Sequence, residues 1–243
     1  MGTVFSFDVR SPVDLRPAIE VLHRADRRFS TFRPDSEISR IDRRELAVAD
    51  AHPDVLEVLT LGVAAERAGG GAFSLTPNGR LDPAAVVKGW AVQRASDTLV
   101  AAGSTSHLIN GGGDIATVGG RDRGSPWRVA VAHPLHPGRI VAVVAGRSIA
   151  VATSGVAERG GHIIDARTGA PALGLASVTV VGRTDLVTLD VRATTALALG
   201  AEGLSWLSHY DDCAALAIDQ DGSVTWNSRW PAYAVAGAGA AQR

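Results

Sequence analysis

The stretch His107-Leu108-Ile109-Asn110-Gly111-Gly112-Gly113-Asp114-Ile115-Ala116-Thr117-Val118 decides the fold class of this chain. It opens on a β-like run and enters a set of glycines. Gly111-x-Gly113-x-x-Ala116 fits the spacing of a dinucleotide-binding loop. Such a loop must open a helix, because the helix N-terminus receives the phosphate. Here Ile115 to Val118 is β-like again and ends in Gly119-Gly120. A second strand therefore stands where a Rossmann site needs a helix, and that site is rejected.

Outward from this turn the two halves differ. Upstream, residues 3–10 alternate like a strand, and a helix follows Ser11-Pro12 with Leu15, Ile19, Leu22 and Phe29 at helical spacing. Residues 30–50 read as polar and turn-rich. Further helices are expected over Pro53–Arg67, stopped by Gly69-Gly70-Gly71, and over Ala84–Ala102, stopped by Gly103. Downstream, short β-rich runs fall at 107–109, 127–133, 140–145, 148–153, 162–165 and 176–182. Helices are expected over Asp190–Gly200 and Ala201–His209. Two last strands, near 213–219 and 223–227, flank the hairpin turn Asp221-Gly222. Strands and helices mix without a βαβ rhythm, so the class is α+β. Residues 1–235 are read as one domain, either undivided or built of two closely packed parts, and 236–243 as a disordered Gly/Ala-rich tail.

Bulk composition excludes several classes. Hydrophobic residues make up 46% and charged residues 20%, as in an ordinary globular protein. Lys+Arg number 24 against Asp+Glu 25, so no basic excess points to nucleic acid or an anionic membrane. No apolar run of about 18 residues is present to span a bilayer. The first residues lack a basic and then apolar leader, and no cysteine near residue 1 could carry a lipid, so the expected location is cytoplasmic. The lone Cys213 reads as a packed small apolar residue.

Three groups carry chemistry. Asp190 and Thr194 lie four apart and share one helix face, where a carboxylate and a hydroxyl offer hard oxygens to Mg²⁺. The bland alternative is an N-cap aspartate. Lys88 lies among Val86, Val87 and Trp90, and Gly89 leaves room beside it. It is either a solvated stem or a point charge for a phosphate. His162 can act as a base near neutral pH, oriented with Asp165. By contrast His133 and His136 read as loop, Ser154 as turn structure, and Trp206 with Tyr210 as core.

Five segments, in order, resemble the ApbE family of FAD:protein FMN transferases. They are Met1-Gly2-Thr3, Phe29–Arg40 (FSTFRPDSEISR), Leu81–Val92 (LDPAAVVKGWAV), Thr153-Ser154-Gly155 with His162–Gly169 (HIIDARTG), and Asp190–Thr194 (DVRAT). Each is weak alone, but the series spans nearly the whole chain. The resemblance implies an ApbE-like α+β fold of mostly antiparallel sheets packed with helices. It implies Mg²⁺ held by Asp190, Thr194 and the Ala85 carbonyl. It also implies FAD as substrate, contacted by Met1, Phe32, Asp82 and Lys88, and the Asn110–Asp114 turn packed near the ligand. The implied reaction attaches FMN through its phosphate to a threonine of a target flavoprotein and releases AMP, with Lys88, His162 and Asp190 as the catalytic set. Asp82 could equally cap the helix that follows it.

The chain departs from the family at the ring-binding end. A long insertion is missing, so Gly71–Pro77 reaches Leu81-Asp82 almost at once. Gln93 stands for an aspartate, Pro83-Ala84 for x-Gly, and Ala166 for a proline. Competing readings are an FAD pyrophosphatase yielding FMN and AMP, a non-catalytic flavin-binding protein, and an accessory protein that docks on a flavoprotein.

Overall fold

A computed structural model of the chain describes residues 2–122, 124–155 and 163–237. Met1, His162 and residues 238–243 lie outside that description. The elements are β1 (Phe5–Val9), α1 (Arg16–Phe29), α2 (Glu37–Asp42), α3 (Pro53–Ala68) and α4 (Ala84–Ala101). Then come β2 (His107–Gly111), β3 (Asp114–Val118), β4 (Trp127–Ala132), β5 (Ile140–Gly146), β6 (Ala150–Gly155), β7 (Ile164–Asp165), β8 (Ala170–Pro171) and β9 (Leu175–Gly182). The chain ends in α5 (Leu186–Leu199), α6 (Gly203–Leu207), β10 (Cys213–Asp219) and β11 (Val224–Trp226).

One seven-stranded sheet runs in the order β1-β2-β3-β6-β9-β10-β11, and its neighbouring strands are antiparallel. Two short hairpins, β4-β5 and β7-β8, stand beside it. The glycine turn at 111–114 is the β2-β3 hairpin, with Gly111 opposite Asp114. Gly112 and Gly113 have φ of 59° and 94°, a region that glycine enters freely. This is the mixed α+β class read from the sequence.

Both faces of the sheet are covered. Along β10, Cys213, Ala215 and Ala217 face the helices, while Ala214, Leu216 and Ile218 face the β4-β5 side. That is the period-2 alternation of a strand buried on both sides. The small residues on the helix side of β10 let α6 lie close. Helices α1, α4 and α5 pack on this same face, and α4 lies against α5.

Three boundaries differ from the sequence reading. Residues 30–50 are not all turn: Ser36 caps α2, its Oγ accepting the Ser39 N–H at 3.1 Å. Helix α1 starts at Arg16, not at Pro12, with Pro17 in its first turn. Helix α5 starts at Leu186, one turn before Asp190, and its cap is Asp185, whose Oδ1 accepts the Thr188 N–H at 2.8 Å. The polar pair Thr184-Asp185 marks the true start, and the apolar run hid it.

Candidate active site

A cleft of about 270 Å³ opens at the ends of α1, α4 and β6, against one side of α5. Its walls include Thr3, Phe29, Phe32, Phe73, Pro77, Asp82, Ala85, Lys88, Ser154, Ile163, Asp190 and Thr194. The described sequence-predicted residues Phe32, Asp82, Ala85, Lys88, Asp190 and Thr194 therefore meet in one place.

At the deep end lies Asp190, in the middle of α5 and 1% exposed. It is no cap, so the bland reading of this residue falls. Its Oδ2 accepts the Gly89 N–H of α4 at 2.9 Å. In a regular helix that N–H belongs to the carbonyl four residues back, which is Ala85's. Asp190 thus shares a donor that a regular helix would give to the Ala85 carbonyl, and Ala85 lines the cleft. Glycine is required here: a Cβ on residue 89 would lie 2.9 Å from the Asp190 Cβ and 3.1 Å from the Val187 Cα. One turn along α5, the Thr194 and Ser154 hydroxyls are 2.8 Å apart, which fixes Thr194 against β6.

Lys88 reaches into the same corner. Its Nζ is 2.9 Å from Oδ2 of Asp114, a carboxylate with no exposed surface. Asp114 also accepts the Thr153 N–H at 3.1 Å through Oδ1. Burial pushes the Asp190 carboxyl well above the usual carboxylate range, the nearby Asp114 charge pushes it further, and Lys88 opposes both. Asp190, Thr194 and Ala85 line the same cleft, and a carboxylate, a hydroxyl and a backbone carbonyl are oxygen donors of the kind a hard divalent cation takes. Among the described residues no group of three His, Cys, Asp or Glu side chains could hold a metal unaided. A cation here would take its remaining ligands from phosphate or water, as Mg²⁺ commonly does.

The outer end is built differently. Phe32 is 95% exposed at the cleft mouth. Its loop is pinned from behind, where the Ser36 Oγ–H donates to the Ser30 carbonyl at 2.7 Å and Arg28 bridges Glu37 and Asp54. Asp82 lines the cleft, and its Oδ1 accepts the Ala84 N–H at 3.0 Å just before α4, whose N-cap is Pro83. Gln93 replaces an aspartate without losing an acceptor, since its Oε1 receives the Leu186 N–H at 2.9 Å.

Other expectations sort as follows. Asp165 is engaged by Arg167 at 2.7 Å, and that guanidinium holds its carboxyl below the usual range. It also accepts the Arg167 N–H at 3.0 Å within the β7-β8 turn. His162 lies outside the described residues. His133 and His136 sit together in the loop after β4, their rings 4.5 Å apart. Cys213 is buried among apolar residues, and Trp206 with Tyr210 packs at the core's edge. Asp114 and Ser154 were missed as site residues, because no local pattern reveals which distant lysine or threonine each will meet.

The family model described as ApbE family matches residues 1–79 and 74–217. The two matched stretches meet at 74–79, where the sequence lacks the family's insertion. A FAD:protein FMN transferase of Rhodobacter capsulatus is 38% identical over 163 residues, covering 62% of this chain and 30% of that protein. One from Vibrio cholerae is 33% identical over 132 residues, covering 50% of this chain and 39% of the relative. The matched part thus spans 30% and 39% of the length of these two curated relatives. Among solved structures, the flavin transferase ApbE of Vibrio cholerae superposes with a TM-score of 0.83 at 22% identity, covering 96% of each chain. The apbe protein of Thermotoga maritima gives 0.83 at 20% identity, again with 96% of each chain covered. These likenesses establish the fold.

Proposed function

The chain belongs to the ApbE family, and from that membership we propose that it moves the FMN half of FAD onto a threonine of a target flavoprotein and releases AMP. The observation that carries the reading is the corner where Asp190, Thr194, Ala85 and Lys88 meet, in the same cleft as Phe32 and Asp82. The curated relatives named FAD:protein FMN transferase support it.

In this reading Asp190, Thr194 and the Ala85 carbonyl would hold Mg²⁺, and Phe32 and Asp82 would contact the flavin half, joined by Met1 as the resemblance implies. When bound, Mg²⁺ would offset charge on the pyrophosphate and on the departing AMP. Lys88 lies at the same end of the cleft, its ammonium paired with Asp114, and would contact the pyrophosphate there. The acceptor threonine oxygen forms a bond to the FMN phosphorus, the phosphorus–oxygen bond to AMP breaks, and the threonine proton leaves to a base. His162 is the residue proposed for that base. The low exposure of Asp190 and Thr194 would limit bulk water around a cation held there and would strengthen each charge interaction.

A second reading has one observation in its favour. The link from Thr76 to Asp82 is short and Phe32 is open to solvent, so water can compete with threonine for the phosphorus. The test is a time course with FAD, Mg²⁺ and a flavoprotein domain offering a threonine acceptor. Transfer gives an acceptor heavier by FMN, with AMP release accelerated by acceptor. Equal AMP release with and without acceptor, and no gain in acceptor mass, would replace transferase by FAD pyrophosphatase.

A further inference from the structure

Asp114 has no place in the reaction just described, yet the fold goes to some length to bury it. Gly112 and Gly113 turn the chain, Asn110 Oδ1 holds the Gly113 N–H at 2.9 Å, and Asp114 follows as the first residue of β3. Its carboxylate lies behind Lys88 with no exposed surface. One oxygen is tied to the Thr153 backbone and the other faces the Lys88 ammonium at 2.9 Å. A fully buried carboxylate set against the Asp190 carboxyl as well as the Lys88 ammonium is a costly arrangement, and leucine or valine would fill a strand position more cheaply. The charge itself therefore calls for a use.

We propose that Asp114 is a positioning residue that neutralises Lys88 in the empty cleft, so that a pyrophosphate is accepted only together with a divalent cation. This rests on the cation–pyrophosphate reading of the cleft. The physics is a charge count. A lysine at the wall of a low-dielectric cleft would by itself hold a pyrophosphate as a point charge. With the Asp114 carboxylate against its ammonium, the same lysine presents less net positive charge to the cleft. A cation bound at Asp190 then adds the missing charge, and the diphosphate of FAD becomes welcome. The benefit is selective: metal-free FAD, which this site could bind but not use, is kept out. Asp114 also restrains the Lys88 stem, because its other oxygen is fixed to β6.

Asp114→Asn separates this from a merely structural role. The amide keeps an acceptor for the Thr153 N–H and withdraws only the charge. FAD affinity is measured by flavin fluorescence with Mg²⁺ and with chelator, on the wild type, Asp114→Asn and Asp114→Glu. In the wild type Mg²⁺ should tighten FAD binding by about tenfold or more, in the range of ordinary coupling between two sites. In Asp114→Asn that ratio should fall to about threefold or less, with metal-free FAD bound at least as tightly as by the wild type. Asp114→Glu should recover most of the ratio. A structural role predicts instead that both affinities fall together and that Asp114→Glu behaves like Asp114→Asn; that result overturns the proposal. Should the asparagine variant fail to fold, inorganic pyrophosphate decides on the wild type alone. Binding that needs Mg²⁺ supports the counter-charge, and equal binding without metal overturns it. If the wild type binds neither FAD nor pyrophosphate with Mg²⁺, the reading of the cleft itself has failed. If it binds both and Asp114→Asn keeps the full metal dependence, only the role of Asp114 is lost.

Discussion

The two ends of the cleft are built on opposite plans. At the deep end, Asp190 and Asp114 are almost sealed from solvent, and each is held by a backbone N–H from another element, Gly89 and Thr153. At the mouth, Phe32 stands nearly bare on a loop whose support comes from behind it. The deep end is pre-organised, so its geometry exists before any ligand arrives and little ordering remains to be done on binding. The mouth offers an apolar surface that only a ligand or a partner would cover. A site divided this way should lose chemistry when its deep end is touched and affinity when its mouth is touched.

The most severe test of that division is Asp190→Ala. As a cation ligand, Asp190 supports charge stabilisation of several kcal/mol, so turnover with Mg²⁺ should drop by more than about 10³-fold. The fold should survive. Burial and the Asp114 charge already oppose an ionised Asp190, and the variant leaves the Lys88–Asp114 pair matched. Stability should stay within about 1 kcal/mol of the parent. A cooperative melt beside lost activity sharpens the contrast, whereas full activity would remove Asp190 from the site.

Gly89→Ala comes next. The added methyl would meet the Asp190 Cβ at 2.9 Å and the Val187 backbone at 3.1 Å. Neither neighbour is the far end of a flexible side chain, so α4 and α5 must part. Overpacking of this kind costs about 1–3 kcal/mol. Calorimetric melting should show that loss together with a weaker Mg²⁺ response, because the same movement separates the Gly89 N–H from Asp190. A normal Mg²⁺ response in a destabilised protein would show that the α4–α5 contact is packing alone.

Much of this division was legible in the sequence, and the part that was not has a physical reason. Asp190 with Thr194, and Lys88 with Gly89, are local patterns: a helix period and a small residue beside a charge. Their helices were placed by apolar spacing and glycine stops. The β2-β3 turn was legible because no helix could follow Gly113. Asp114 was not, since its meaning comes from Lys88 and Thr153, 26 and 39 residues away in the chain. The start of α5 was missed because Leu186, Val187 and Leu189 are buried on several sides, which removes the amphipathic stripe that marks a helix end. The short helix α2 was hidden in polar sequence, although Ser36 followed by Glu37 was a usable cap signal.

Acidity probes the buried side in another way, and two groups act with opposite sign. His107 is buried between the hydroxyls of Ser96 and Ser104, at 2.8 and 2.9 Å, and burial lowers its pKa below 6.5. The unfolded chain then binds the extra proton, so the stability this group supplies is full above about pH 6.5 and is lost as the pH falls below it. Asp190, raised above 3.8, works the other way: its contribution is full at low pH and is lost as the pH rises through its folded value. Urea unfolding from pH 5 to pH 8 should show stability rising through the histidine range. His107→Gln should flatten that rise while leaving the Mg²⁺ dependence of FAD binding intact. An unchanged slope in the variant would move the acid sensitivity to another group.

The smallest effect is expected at the mouth, from Phe32→Ala. A side chain 95% exposed makes few contacts to lose, so the melting temperature should not move beyond the effect of an ordinary surface change, about 0.5 kcal/mol. Its value must come from what it covers when a ligand is present. An aromatic ring against a flat conjugated ring gains about 0.5–1.5 kcal/mol beyond area burial, which corresponds to about a 2- to 13-fold loss of FAD affinity. Because that contact is far from the phosphorus, it should be made equally in the bound and reacting states. The KM for FAD should then rise while kcat holds. Measured with FAD and with ADP, the loss should appear only for FAD, since ADP has no flavin to lie against Phe32. An equal loss for both would place Phe32 outside the flavin contact and leave the mouth as a surface for the acceptor protein. A fall in kcat at constant KM would break the division between the two ends, because a residue at the mouth would then be acting in the chemical step.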